Sequence, residues 1–170
     1  MPDNPKDNVA VMGKWMMYLT WILGLALASY FFQNWIDHKR NPNQSLSSNS
    51  QQPVVLRQNS QGHYVASGMI NDTPVVFLLD TGATSVVVGE ELAAQLSLQR
   101  NGQTQVSTAN GVINVSATQL KSVNLGGLTA TNIAAYINPY ADSSTVLLGM
   151  SFLKHLTLVQ KNNTLTLSVP

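Results

Sequence analysis

The hydrophobic pattern changes character twice along the chain. From Trp15 to Ile36 no charged residue occurs, with Lys14 before this stretch and Asp37-His38-Lys39-Arg40 after it. A helix of about 20 apolar residues crosses a bilayer. Trp15, Tyr18 and Trp21 near one end, and Tyr30 and Trp35 near the other, fit interfacial aromatic belts. The pattern therefore predicts a tail over 1–14 and a transmembrane helix over 15–36. Residues 37–61, rich in Asn, Gln and Ser with Pro42 and Pro53, read as a flexible polar linker. Within it, Val54-Val55-Leu56 is a candidate edge strand. Beyond Gly62 the pattern becomes short and strand-like through to Pro170.

Strands are expected at His63–Ile70, Val75–Leu79, Thr84–Val88, Thr104–Thr108, Val112–Val115, Leu120–Leu125, Leu128–Ile137, Val146–Leu148, Leu156–Gln160 and Thr164–Val169. Asn71-Asp72-Thr73-Pro74 and Gly126-Gly127 read as turns, and Pro139–Ser144 as a loop. Gly89–Leu96 reads as a short helix with Glu90 and Glu91 in its first turn, where the helix dipole favours acids. A second short helix comes after Gly149 and ends near Lys154 and His155. Asn110-Gly111 between two β-prone runs is a hairpin signal. Mostly β with two short helices, residues 62–170 form one barrel-like domain.

Composition narrows the chemistry. The net charge of +1 with 10% charged residues leaves no electrostatic footprint for nucleic acid. There are no cysteines, so disulfides and thiolate chemistry are excluded. His38, His63 and His155 are far apart and show no metal-ligand spacing, so neither a metal nor a cofactor is expected. Ala26-Leu27-Ala28 resembles a signal-peptide cleavage site, but Tyr30-Phe31-Phe32 continues the apolar run past it, which suits an uncut anchor better. Two Lys/Arg on each flank (Lys6 and Lys14; Lys39 and Arg40) leave the positive-inside count tied.

The chemistry concentrates in Val75-Val76-Phe77-Leu78-Leu79-Asp80-Thr81-Gly82-Ala83. An apolar strand running into Asp-Thr-Gly delivers a carboxylate from a rigid support into a tight turn. By itself the stretch fits an ordinary Asp-Gly-type turn equally well. Further along the chain come, in order, the Asn110-Gly111 hairpin, a second apolar pair with glycine at Leu147-Leu148-Gly149, and a short helix.

In this combination the chain resembles the retropepsin-like aspartic protease family, and especially its bacterial members with one transmembrane helix ahead of the protease domain. The resemblance covers about Gln61 to Ser168. It implies an all-β, single-lobe acid protease barrel with two short helices, preceded by one N-terminal transmembrane helix. It also implies an aspartic endopeptidase acting on polypeptide substrates, a homodimer, and a single-pass inner-membrane protein whose protease domain is periplasmic. Asp80 would be the catalytic residue, paired with Asp80 of a second copy around a shared proton and a water. Thr81, Gly82 and Ala83 would form the active-site loop, with Thr81 bonding across the axis. Ala109, Asn110 and Gly111 would be the substrate-binding flap tip. Leu147, Leu148 and Gly149 would support the loop from beneath. Where a serine at 83 could bond the carboxylate and favour its charged form, Ala83 cannot; activity is then expected to extend toward mildly acidic or near-neutral pH.

Two other readings compete. One is a non-catalytic domain of the same shape serving dimerisation or peptide binding, since fold does not guarantee chemistry. The other is an unrelated membrane-anchored β-domain with a chance Asp-Thr-Gly. An intact Asp80-Thr81-Gly82 favours the enzyme, because a pure binding module has no need of that carboxylate.

Overall fold

A computed structural model describes residues 5–49, 52–108 and 111–170. The chain divides into two compact units, Met1–His38 and Lys39–Pro170. The first is dominated by helix α1 (Pro5–Arg40), which is longer than the expected span at both ends. Proline is tolerated in a first helical turn, where its missing N–H costs nothing. At the other end, Asn41 precedes Pro42, and a residue before proline is pushed out of the helical region. The stretch Gly13–Arg40 is long and apolar enough to cross a membrane by length and composition, a test that a signal sequence also passes.

The second unit is β-rich, as its alternating pattern dictates. Its strands are β1 (Val54–Arg57), β2 (Val65–Ile70), β3 (Thr73–Leu79), β4 (Val86–Gly89), β5 (Gln103–Thr108), β6 (Gly111–Leu125), β7 (Leu128–Asn138), β8 (Val146–Leu148), β9 (Thr157–Lys161) and β10 (Thr164–Ser168). Two short helices, α2 (Glu90–Gln95) and α3 (Met150–Leu153), come after β4 and β8. The main sheet runs β2-β3-β8-β4-β7-β6-β5. Pairing of Met69 with Asn124 and of Ile70 with Val123 joins β2 back to β6 and closes six strands into a barrel. Closure leaves no free edge within the ring of six, while β5 stays outside it, paired among the described residues with β6. Phe77, Ile70, Val86, Leu120, Ile137, Leu148 and Phe152 fill the interior, each almost fully buried.

A second sheet, ordered β1-β10-β9, packs Leu56, Leu165 and Leu167 inward while Val55 and Val159 face out. The candidate edge strand at Val54–Leu56 is thus a strand at the edge of this sheet. The closing hairpin pairs within its own chain, Leu165 against Gln160 and Leu56 against Leu165.

Two expectations are corrected. Val112–Val115 and Leu120–Leu125 are parts of one 15-residue strand, β6, whose first half pairs with β5 and whose second half pairs with β7 and β2. The polar residues between them, Ser116 and Thr118, are buried, so their polarity did not signal a break.

Part of the flexible linker expected over 37–61, around Asn41 and Asn43, is held against the β-domain. Asn41 and Asn43 are buried. The Asn43 side chain donates to the carbonyls of Arg57 (2.9 Å) and Val65 (2.7 Å) and accepts the Arg57 N–H at 2.8 Å. Ser67 N–H donates to the Asn43 carbonyl at 3.1 Å, and the Asn41 amide donates to Ser67 Oγ at 3.0 Å. Further on, Gly126 has a φ of 62°, and a Cβ there would lie 3.0 Å from the Ser47 carbonyl oxygen and 2.9 Å from Val54. Residues 41–47 are therefore a strap laid across β1, β2 and the β6–β7 turn. Composition suggested solvation, but an Asn side chain can also replace a strand's backbone groups, and here it does.

Candidate active site

Asp80 owes its position to strand register. β8 runs parallel to β3, pairing Phe77 with Val146, Leu78 with Leu147 and Leu79 with Leu148. Parallel strands finish at the same end, so the next residues along each, Asp80 and Gly149, emerge side by side. The Asp80 N–H donates to the Leu148 carbonyl at 3.1 Å, which continues the ladder one residue beyond β3. β4 lies on the other side of β8 through the Val87–Leu147 pair.

The turn after Asp80 is tied down from several directions. Gly82 N–H donates to Asp80 Oδ1 at 2.8 Å, and Ala83 N–H reaches the Asp80 carbonyl at 3.3 Å. The Ala83 carbonyl accepts the Met150 N–H at 2.8 Å, pinning the loop to the start of α3. A Cβ on Gly149 would sit 2.7 Å from the Ala83 carbonyl oxygen and closer still to that of Ser85, so only glycine admits this approach. The loop's return into β4 is held by Ser151, whose Oγ accepts the Val86 N–H at 3.0 Å.

The structure thus brings Asp80, Thr81, Gly82 and Ala83 together with Leu147, Leu148 and Gly149. Asp80 and Ala83 are half-buried, while Thr81 and Gly82 are exposed. Leu148 and Gly149 are buried under the turn. Of the expected flap tip, Ala109 and Asn110 lie outside the described residues. Gly111 opens β6 and pairs with Thr108 of β5.

Three features escaped the sequence reading. Ser151 carries no motif signal, because its partner Val86 is distant in sequence. A cavity of about 310 Å³ opens beside Asp80 and Thr81, walled by Leu79, Leu153, Leu158 and Leu165 with Tyr64 and Gln160. Finally, Asp142, in the loop before β8, accepts from the Ser144 hydroxyl (2.5 Å) and the Ser144 N–H (2.9 Å). These bonds, the hydroxyl's foremost, hold its carboxyl below the ordinary carboxylate range.

Residues 66–155 match the sequence profile of the family described as "gag-polyprotein putative aspartyl protease". The chain belongs to this aspartyl protease family. The matched span contains Asp80-Thr81-Gly82-Ala83 and Leu147-Leu148-Gly149, the two segments that the β3–β8 ladder brings together. A retropepsin-like aspartic protease from Rickettsia conorii has a similar structure, with a TM-score of 0.58 and 26% identity over 68% of this chain and 89% of that one. The fold of this family member is accordingly a retropepsin-like barrel with an apolar helix ahead of it. A lesser likeness, with a TM-score of 0.46 and 22% identity, covers 56% of this chain and 89% of EIAV protease complexed with the inhibitor HBY-793. An uncharacterized protein in a cobV 5′ region of Sinorhizobium sp. is 32% identical over 116 residues, 66% of this chain. The chain spans about half the length of that curated relative.

Proposed function

We propose that this protein is a membrane-anchored aspartic endopeptidase in which Asp80 of two copies form one catalytic dyad. The observation that carries this reading is the Asp80 carboxylate itself. It stands at the end of a core strand, half-buried, with Oδ1 oriented by the Gly82 N–H at 2.8 Å. A carboxylate held this firmly, in a family of aspartyl proteases, has an obvious employment. One ionised Asp80 accepts a proton from a water as that water attacks the peptide carbonyl. Its protonated counterpart donates a hydrogen bond to the carbonyl oxygen. Two carboxylates this close share one proton because both cannot be charged together.

The chain contains a single Asp-Thr-Gly, so the second carboxylate comes from a second copy on a twofold axis. In this reading Thr81 bonds across the axis, and Gly82 and Ala83 line the path of the substrate backbone. The tip Ala109-Asn110-Gly111 closes over an extended polypeptide, while Leu147, Leu148 and Gly149 keep the turn rigid. The domain from about residue 62 onward would carry the chemistry. The apolar part of α1 would anchor it in the bacterial inner membrane, with the protease domain on the periplasmic side.

The full chain, reconstituted in lipid vesicles at a series of protein-to-lipid ratios, tests this against a mixed peptide library. Cleavage that rises faster than linearly with surface density, and that vanishes in Asp80→Asn, is the expected result. Cleavage surviving in Asp80→Asn rejects the assignment.

A further inference from the structure

The near-zero net charge of the chain hides a division. Within the unit Lys39–Pro170, residues 39–71 and 143–170 carry Lys39, Arg40, Arg57, Lys154 and Lys161 and no acid. Residues 72–142 carry five acids against Arg100 and Lys121. The β1-β10-β9 sheet is built from the two basic segments alone.

Strand register gathers charge on that sheet's outer face. Residues directly opposite one another on antiparallel strands share a face. Leu56 and Leu165 point inward, so Arg57, its partner Thr164 and Lys161 beyond it form an outward row. Arg57 and Lys161 are both exposed, two strands and therefore about 10 Å apart. The next outward row is Val55, Thr166 and Val159, in which Val55 is 52% and Val159 55% exposed. Two cations beside two exposed valines suit an anionic lipid surface, which takes positive charge at its headgroups and apolar side chains just beneath.

The chain also keeps this face within reach of a bilayer. The Asn59 side-chain amide donates to the Arg40 carbonyl at 3.1 Å, and Asn43 is bonded to the backbone of Arg57. Asn43 comes seven residues after Ile36, where the uncharged run ends, so at most about 25 Å of chain separates them.

We propose that the outer face of the β1-β10-β9 sheet docks on the anionic headgroups of the bilayer that holds the apolar part of α1. The inference rests on the reading of α1 as a membrane anchor and is independent of catalysis. Docking fixes the height of the Asp80 turn above the lipid, because Leu158 and Leu165 of the same sheet wall the cavity that Asp80 borders. An acidic polypeptide would also satisfy the cations, but nothing in the chain holds one close, whereas seven residues hold the headgroups close.

The absence of cysteine permits a single reporter position. Full-length Val159→Cys carries an environment-sensitive dye, and Gln95→Cys in α2 is the control. Each is reconstituted in vesicles of phosphatidylcholine, with or without phosphatidylglycerol. A blue shift at position 159 only with phosphatidylglycerol, reversed by salt, and none at position 95, is the expected result. Val55→Cys reports from the same row and should behave as Val159→Cys does. Adding Arg57→Gln and Lys161→Gln to the Val159→Cys chain should lower the docked-to-free ratio about 30-fold, about fivefold for each cation. Both positions are exposed, so the melting temperature should not change. Dyes at 55 and 159 that stay in water on phosphatidylglycerol vesicles, or a shift that survives loss of both cations, overturn the docking face. Flotation with pure phosphatidylcholine vesicles judges the anchor separately. A chain that floats there while its dye ignores phosphatidylglycerol keeps the anchor and loses the docking; a chain that does not float loses both.

Discussion

Asn43 and Arg57 grip each other through two hydrogen bonds: the Asn43 amide donates to the Arg57 carbonyl at 2.9 Å, and the Arg57 N–H donates to Asn43 Oδ1 at 2.8 Å. A side chain here reproduces the donor–acceptor pair that a neighbouring strand would offer. The same amide group also serves Val65, one residue after Tyr64. A strap just past α1 is thereby fastened to the strand that pairs with the Asp80-bearing strand.

Asn43→Ala would leave the Arg57 N–H and the Arg57 and Val65 carbonyls without these partners. The expected cost is about 3 kcal/mol, given roughly 1 kcal/mol or more for each abandoned group. Thermal unfolding of the full chain measures it, and hydrogen exchange should quicken at the Arg57 amide. Gln44→Ala, at the exposed neighbouring position, should leave both unchanged.

Asp80→Asn keeps the size and much of the hydrogen bonding of the turn but removes the titratable oxygen. Peptide cleavage should fall by at least about 10²–10⁴-fold. Circular dichroism should show an intact β-domain.

Gly149→Ala forces a methyl against two carbonyl oxygens, one of them 2.7 Å away and the other nearer. Overpacking of this kind costs about 1–3 kcal/mol or more. Since the displaced carbonyls belong to Ser85 and Ala83, the Asp80 turn shifts with them. Activity should drop further than the loss of melting temperature alone accounts for, measured under conditions where the variant is fully folded.

Ala83→Ser adds a hydroxyl to the loop that bears Asp80. Its hydrogen bond favours the charged carboxylate, so the acid limb of the pH–rate profile should move to lower pH. An unmoved acid limb would show that residue 83 does not reach the Asp80 carboxylate.

Asp142 supplies a second pH dependence, with a sign fixed by its lowered pKa. Its ordinary value is 3.8, and the folded chain holds it below that, chiefly through Ser144. A depressed carboxyl contributes stability above its unfolded pKa and loses it as pH falls through the folded value. The turn at 142–144 should stay ordered at mildly acidic pH and open only in stronger acid. Exchange of the Ser144 amide against pH tests this, and in Asp142→Asn the dependence should disappear.

What the sequence by itself determined was local. Period-2 alternation, turn residues and the contrast between the apolar run at Trp15–Ile36 and the β-prone remainder located most elements. They also marked Asp80-Thr81-Gly82 and Leu147-Leu148-Gly149 as candidates, because each motif is a strand ending in a glycine turn. What the tertiary structure decided was everything that depends on register between distant segments. Parallel pairing of β3 with β8 puts Asp80 beside Gly149. Ser151 finds Val86 only because α3 comes after β8 at that end of the barrel. Tyr64, unremarkable in the chain, walls the cavity beside Asp80 because its carbonyl accepts the Leu79 N–H. Asn43 looked like linker because Asn, Gln and Ser around it are typical of solvated chain. Composition records a residue's preference for water, and a strand edge that satisfies an amide's three hydrogen bonds competes with water on equal terms.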